Sequence, residues 1–433
     1  MPQTFDFLVG TFDTPELYTL RFTSPGRLED REGAGKLEIL HRTPAIGSHS
    51  WLHLSPPKED GTRNLYATAW TEPPAVAAYV VKSPTDIQLL GSAQTRSRSG
   101  YVTASDIALY SAGGGTGEVF SLDPKTGNII APLKSEDAQV KSEHVRVNGV
   151  RGGNPSEIQP LQLLSFVDEE GQRDDGSVMD FGGLRHGAHS ADLSPDGRAL
   201  YVADIGRNCI WTFSVDPKTG KLALGEKHIS PDPHDGPRHA WPHPNGKIVY
   251  CLQEHSFRVD IFSATNHGVN LVHEDGVNIV PAGTGSIGYW ADEVRTSLSS
   301  GDKPKYLYAS TRALNKGDKG YVAVYKLTDE GVIDDSFPPH STWRIPIRHP
   351  TKDSDCGWKP FFRGLQYLWE TPTSGGWANA IQPGPTVDGV EYLAMTDSEE
   401  GFVFVLGWDG EEFKEVARTK LPNGAGAATA VWL

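Results

Sequence analysis

Cysteine is nearly missing from this chain: there are three in 433 residues, Cys209, Cys251 and Cys356, odd in number and scattered. That excludes a disulfide scaffold and any CxxC metal or redox motif, and it points to a reducing compartment. Basic tracts are missing as well. Forty Lys and Arg stand against 55 Asp and Glu, a formal net charge of −15, which argues against nucleic acid or an anionic membrane as partner. No apolar run is long enough to span a bilayer, and no charged-then-apolar leader precedes the run Phe5 to Val9, so the expected location is cytoplasmic. Long helical periodicity is absent too. What is abundant is punctuation: 47 Gly and 31 Pro separate short alternating apolar runs, the pattern of an all-β chain.

The run His189-Ser190-Ala191-Asp192-Leu193-Ser194-Pro195-Asp196-Gly197-Arg198-Ala199-Leu200-Tyr201-Val202-Ala203-Asp204 sets the plan. It reads as strand, tight turn, strand. Pro195 fixes φ, Asp196 bonds its own backbone and Gly197 tolerates positive φ. Related hairpins recur along the chain, and one tyrosine marks their phase: Tyr66, Tyr110, Tyr201, Tyr250, Tyr308 and Tyr392. Their spacings are 44, 91, 49, 58 and 84 residues. A strand-and-turn repeat of roughly 40–50 residues is the signature of a β-propeller blade. The N-terminal strands Phe5 to Phe12 and Leu17 to Phe22 add one blade to the six marked units, making seven. The tail Ala427 to Trp432 alternates with no hairpin after it, so it is expected to pair with the first blade and close the ring.

The turn Asp123-Pro124-Lys125-Thr126-Gly127 returns as Asp216-Pro217-Lys218-Thr219-Gly220, and it is read as joining outer strands of successive blades. The two long spacings are assigned to insertions in a single propeller domain spanning 1–433. One, at about 133–184, is dense in charge and weakly periodic except around Leu161 to Val167. The other, at about 338–370, is rich in aromatics. The second reads as a cover for an adjacent surface or, more sharply, as a pocket lid.

Several tempting motifs dissolve on inspection. His234, His239, His243 and His255 invite a metal, yet their spacing on strand and turn sequence matches no usual zinc motif. Gly113-Gly114-Gly115-Thr116-Gly117 lacks the lysine and the helix of a phosphate loop. No metal and no cofactor is expected.

From His189 to Asp204, and at Leu8-Val9-Gly10-Thr11, Val81-Lys82-Ser83-Pro84-Thr85, Gly236-Pro237-Arg238, Gln253-Glu254, Ser310-Thr311-Arg312-Ala313 and Thr371-Pro372-Thr373-Ser374-Gly375-Gly376, the chain resembles the seven-bladed lactonase propellers. That family includes 6-phosphogluconolactonases, and the closer likeness is to its fungal branch of 3-carboxy-cis,cis-muconate lactonizing enzymes (carboxy-cis,cis-muconate cyclases). The resemblance implies a cofactor-independent cycloisomerase of the protocatechuate branch of the β-ketoadipate pathway, with a small anionic tricarboxylate as substrate. It also implies a site of one histidine, one glutamate and two arginines at the channel mouth. By motif these fall on His189, Glu254, Arg238 and Arg312, with the arginines binding carboxylates and His189 and Glu254 sharing proton delivery. The chain departs from the pattern where Trp377 follows the Ser-Gly-Gly run in place of a histidine, and where a second histidine, His186, lies near His189; both are candidate substrate contacts.

Without the resemblance, each of these residues has a plainer reading. A histidine before a strand is often a structural hydrogen-bonder, a glutamate after a strand is usually solvated, and Arg238 after proline is a turn cap. Two other functions remain on the same scaffold: a lactone hydrolase of the 6-phosphogluconolactonase type, and a non-catalytic binding platform. The sequence is also compatible with a homo-oligomer.

Overall fold

The computed structural model describes residues 2–25, 34–132, 158–166, 187–281, 284, 288–299, 301–315, 317–336 and 363–433. Seven antiparallel sheets follow one another along the chain. The first strands of successive sheets touch in a closed cycle, so the sheets are blades around a central channel. The second blade is Leu52–Leu54, Arg63–Ala69, Ala75–Ser83 and Asp86–Gln94; the fourth is Asp192–Leu193, Ala199–Asp204, Cys209–Val215 and Leu222–Ile229. Pro237–Pro242, Ile248–Gln253, Arg258–Thr265 and Asn270–Asn278 form the fifth, and Ile381–Val387, Val390–Thr396, Phe402–Trp408 and Phe413–Lys420 the seventh. Besides strands, the described residues contain only two three-residue 3-10 turns, Asn266–Gly268 and Pro422–Gly424, and no helix long and apolar enough to cross a membrane.

The ring closes as the tail predicts. Ala427–Trp432 is the innermost strand of the first blade, pairing Phe7 with Trp432, Leu8 with Val431 and Val9 with Ala430. Thr4–Thr11, Glu16–Thr23 and Lys36–Pro44 complete that blade. Closure consumes the free edge of the inner strand Thr4–Thr11.

The six phase tyrosines all lie in second strands, and each is buried. Three of their hydroxyls share one task, while that of Tyr308 donates to Glu391 at 2.6 Å. Tyr66 donates to the Gly127 carbonyl at 3.1 Å, Tyr110 to that of Gly220 at 3.1 Å and Tyr250 to that of Gly331 at 2.5 Å. Each of these bonds reaches the turn between third and outermost strands of the next blade, so a buried aromatic packs the blades together while its polar end fastens a turn. The two Asp-Pro-Lys-Thr-Gly turns are such turns. Asp123 Oδ1 accepts from the amides of Lys125 and Thr126, both at 2.9 Å, and Gly127 (φ 77°) and Gly220 (φ 75°) take the left-handed position. The expectation that they join outer strands of successive blades is thus corrected: each links the third strand of a blade to the outermost strand of the same blade, and only its glycine carbonyl reaches the preceding blade.

The insertion bounds need correction. Gln162–Ser165, inside the first, pairs with Thr116–Leu122, and with Ile129–Ile130 it supplies the outermost strand of the third blade, beside Tyr101–Ala104 and Ala108–Gly113. Leu365–Glu370, inside the second, is the outermost strand of the sixth blade, after Tyr289–Thr296, Tyr306–Ala313 and Tyr321–Lys326. A short edge strand needs few apolar residues, because only one face is covered, so both pass for loop in the sequence. Residues 133–157, 167–184 and 338–362 of the two insertions lie outside the described residues.

Candidate active site

In an antiparallel hairpin the start of one strand is paired with the end of the next. Residues that open a first strand and residues that close a second strand therefore meet on one face. Pro237 pairs with Gln253, Trp290 with Arg312, and the His189 amide donates to the Ala203 carbonyl at 2.8 Å. His189, Arg238, Glu254 and Arg312 accordingly line one cavity of about 910 Å³ at that face, with Trp51, Trp70, Trp290 and Trp377 among its walls. Trp377 stands at the rim, 62% exposed, and its backbone carbonyl accepts a bond from Arg312 Nη1. His186 lies outside the described residues.

The two arginines are joined through carboxylates. Glu254 Oε1 accepts from Arg312 Nη2 at 2.8 Å and from Arg238 Nη1 at 3.3 Å. Asp292 accepts from Arg238 twice, at Oδ1 and at its backbone carbonyl, each at 2.9 Å, and the Asn379 amide donates to its other oxygen at 2.8 Å. The four side chains are almost fully buried. Burial opposes the Glu254 charge, but Arg238 and Arg312 outweigh it and hold the carboxyl below its usual range. Arg238 gains in the same way: burial works against it, and Glu254 and Asp292 more than compensate. Arg312 does not. Burial, then the Arg238 charge, pull it down, and its Nε has no hydrogen-bond partner. Its ring partner is Trp290, 4.8 Å from the guanidinium carbon. Arg312 thus pairs with Glu254 at 2.8 Å and stands 4.0 Å from Asp292 Oδ1, and its unbonded Nε is a donor left for an incoming carboxylate.

A second tier lies beside this group. His239 Nδ1 donates to Glu293 Oε1 at 2.7 Å, and Arg295 Nη1 approaches the same oxygen at 3.0 Å. The rings of His189 and His239 are 5.3 Å apart. Burial pushes both imidazoles down, His189 well below its ordinary value with the neighbouring Arg238, His239 and Arg312 adding to the effect. Beyond Arg295, Tyr101 donates to Asp192 Oδ1 at 2.6 Å, and burial raises the Asp192 carboxyl to about 7.

The sequence brings Arg238 to the site but misses its neighbour, and two bulges explain why. Pairing shifts register between Pro237 and His239, and again between Ala291 and Glu293. Regular alternation sends consecutive side chains to opposite faces; a bulge turns both to one side. So Arg238 and His239 both face the cavity, as do Asp292 and Glu293, and they pair in order across two blades. Arg98 is a further residue the sequence did not single out. It is exposed at the rim, its guanidinium 5.0 Å from the Trp70 ring. Among the described residues no group of three or more His, Cys, Asp or Glu side chains is arranged to hold a metal ion. His243, at the other end of the His239 strand, instead accepts from the Asn245 amide at 3.0 Å.

Fold and site together define a seven-bladed propeller whose channel mouth holds buried guanidiniums, carboxylates and imidazoles. Residues 169–335 match the family "Lactonase, 7-bladed beta-propeller". The chain is 37% identical to muconate cycloisomerase 1 of Cutaneotrichosporon cutaneum, an alignment covering 100% of this chain and 99% of that protein. It is 31% identical to the carboxy-cis,cis-muconate cyclase of Neurospora crassa over 57% of this chain and 60% of that one. The chain belongs to the muconate cycloisomerase family of lactonase-type seven-bladed propellers, a family of enzymes. Among solved structures, the periplasmic gluconolactonase of Pseudomonas aeruginosa superposes with a TM-score of 0.68 at 14% identity, covering 100% of this chain and 99% of its own. A putative 6-phosphogluconolactonase of Bacteroides uniformis gives 0.64 at 18%, covering 99% of each. At such identities these two speak for the fold alone.

Proposed function

We propose that the protein is a cycloisomerase that closes 3-carboxy-cis,cis-muconate to its γ-lactone. The observation that carries this is the Arg238–Glu254–Arg312 group: two buried guanidiniums bridged by one carboxylate, one of them with an unbonded Nε, in the same cavity wall as His189. In the reaction one substrate carboxylate oxygen forms a bond to the γ-carbon. The π electrons of that double bond move toward the carboxylate at the far end, as in an enolate, and the carbon next to it takes up one proton. Nothing is oxidised or reduced. Arg238 and Arg312 hold the substrate carboxylates in the shape for attack and stabilise the charge that develops on the far one. Guanidinium suits both tasks because its planar fork pairs with a carboxylate bidentately.

The role of Glu254 shifts from the one the resemblance implies. A carboxylate held ionised by two arginines is a poor proton donor, so Glu254 positions the guanidiniums and His189 delivers the proton. The names of the Cutaneotrichosporon and Neurospora relatives support this reading of the substrate class.

The test is loss of the diene's ultraviolet absorbance when protein and 3-carboxy-cis,cis-muconate are mixed, with 6-phosphogluconolactone hydrolysis measured in parallel. Arg312→Ala removes charge-assisted bonds that contribute about 1.5–3 kcal/mol, so substrate binding weakens by roughly one to two orders of magnitude. Arg312→Lys restores little of it, because a point charge makes no paired contact. Diene untouched while the phosphogluconolactone is opened would assign the site to hydrolysis instead.

A further inference from the structure

The reaction proposed above consumes one proton per turnover, yet His189 in the free protein is a neutral imidazole crowded by two guanidiniums. Something must supply that proton. The bulge at Arg238 turns His239 into the cavity wall beside His189, and the bulge at Asp292 brings Glu293 to meet it. Glu293 fixes the tautomer: because it accepts from Nδ1 of His239, the neutral ring presents a lone pair at Nε2. That Nε2 is buried and has no hydrogen-bond partner, and neither has Nδ1 of His189. Both rings are more than nine-tenths buried. Two orphaned imidazole nitrogens on neighbouring rings, one ring anchored by a carboxylate, have little structural purpose and a clear chemical one.

We propose that the His239–Glu293 pair is the proton store of the site. It takes up one proton from solvent as an anionic ligand enters and passes it through His189 to the substrate carbon. The proposal rests on the cyclisation reading. Proton balance is simple. An imidazolium forms at His239 using a proton from water or buffer, the proton moves to His189, and the carbon–hydrogen bond forms from there, leaving both rings neutral.

The groups facing His239 fit this cycle. Burial disfavours its charge, Glu293 favours it, and Arg238 on its own strand and Arg295 on the Glu293 strand oppose it. Trp51 and Tyr101 meet the ring at 5.3 and 5.5 Å and cover it, and the Tyr101 hydroxyl donates to Asp192, the nearby carboxyl that Arg295 also faces. The free site therefore rests neutral. The negative charge of a bound tricarboxylate tips the balance, since an anion within several ångströms favours the protonated ring. His239 is a positioning residue in this account, because it acts through His189.

The experiment uses tricarballylate, a tricarboxylate with no double bond to react. Calorimetry at pH 7.5 in buffers of different ionisation heats should give uptake of about one proton per ligand bound by the wild type. Glu293→Gln should reduce that uptake toward zero and shift the alkaline fall of kcat to lower pH by about one unit or more. At pH 7.5 its kcat should drop about tenfold to a hundredfold with little change in KM, and Glu293→Asp should recover part of it. His239→Gln should behave like Glu293→Gln. No uptake by the wild type, or a kcat profile that keeps its wild-type shape in either Glu293→Gln or His239→Gln, would overturn the proposal even if one variant failed to fold. Wild type that consumes no diene would instead defeat the cyclisation reading, a separate outcome.

Discussion

Asp192 shows how a single residue in this channel ties stability to pH. Its carboxyl is fully buried, bonded to Tyr101 and raised to about 7, whereas in the unfolded chain it titrates near the ordinary aspartate value. A group raised in the folded state contributes stability that is present below the unfolded value and is lost as pH rises through the folded one. Between about pH 4 and pH 7 the wild type therefore loses stability at this position, against which Asp192→Asn is inert. The expected result is that Asp192→Asn gains on wild type as pH goes from 5 to 8, by on the order of 2–3 kcal/mol, measured by denaturant unfolding at each pH. A difference that stays flat across that range would contradict the buried, neutral assignment. The sequence placed Asp192 in a strand of the central hairpin and had no means of separating it from a solvated carboxylate. Arg238, Glu254 and Arg312 were legible because motifs marked them. Asp292, His239 and Glu293 were not, because a one-residue bulge leaves no trace in composition and reverses the facing that alternation assigns.

Elements were easier to read than side-chain directions. Tyrosine phase found every second strand from the second blade to the seventh, because a buried aromatic is needed where blades pack, and in Tyr66, Tyr110 and Tyr250 its hydroxyl also fastens the next blade's turn. The closing strand was legible for a related reason: an alternating tail with no partner must find one. Trp432 does most to lock that closure. Its ring lies 4.6 Å from Phe7 in the first blade, its Nε1 donates to the Gln382 carbonyl of the seventh at 3.1 Å, and its own carbonyl accepts from Arg63 of the second at 3.2 Å. Trp432→Ala should cost about 2 kcal/mol or more and speed hydrogen exchange in Thr4–Thr11, whose inner edge it guards. An unchanged unfolding midpoint with unchanged exchange would mean that the ring is held elsewhere. Outer strands were the least legible, since Gln162–Ser165 and Leu365–Glu370 bury little and are flanked by long irregular sequence.

On the proposed function, the whole molecule binds a polyanion within a protein of net charge −15. Local arrangement must then outweigh the global field, and the ring gathers Arg238 and Arg312 by stacking first-strand starts and second-strand ends of adjacent blades at one mouth. Residues far apart in sequence, from His189 to Arg312, thereby meet in one desolvated cavity where charges are weakly screened. That architecture is shared by hydrolases and cyclases alike, so fold does not decide between them. The source of the atoms in the product does. A cyclase takes its ring oxygen from the substrate and its new hydrogen from solvent; a hydrolase adds a water oxygen. The most direct measurement is mass spectrometry of the product formed from 3-carboxy-cis,cis-muconate in deuterated, oxygen-18-labelled water. The account predicts a lactone carrying one carbon-bound deuterium and no labelled oxygen. A product with labelled oxygen, or a lactone without carbon-bound deuterium, would contradict it.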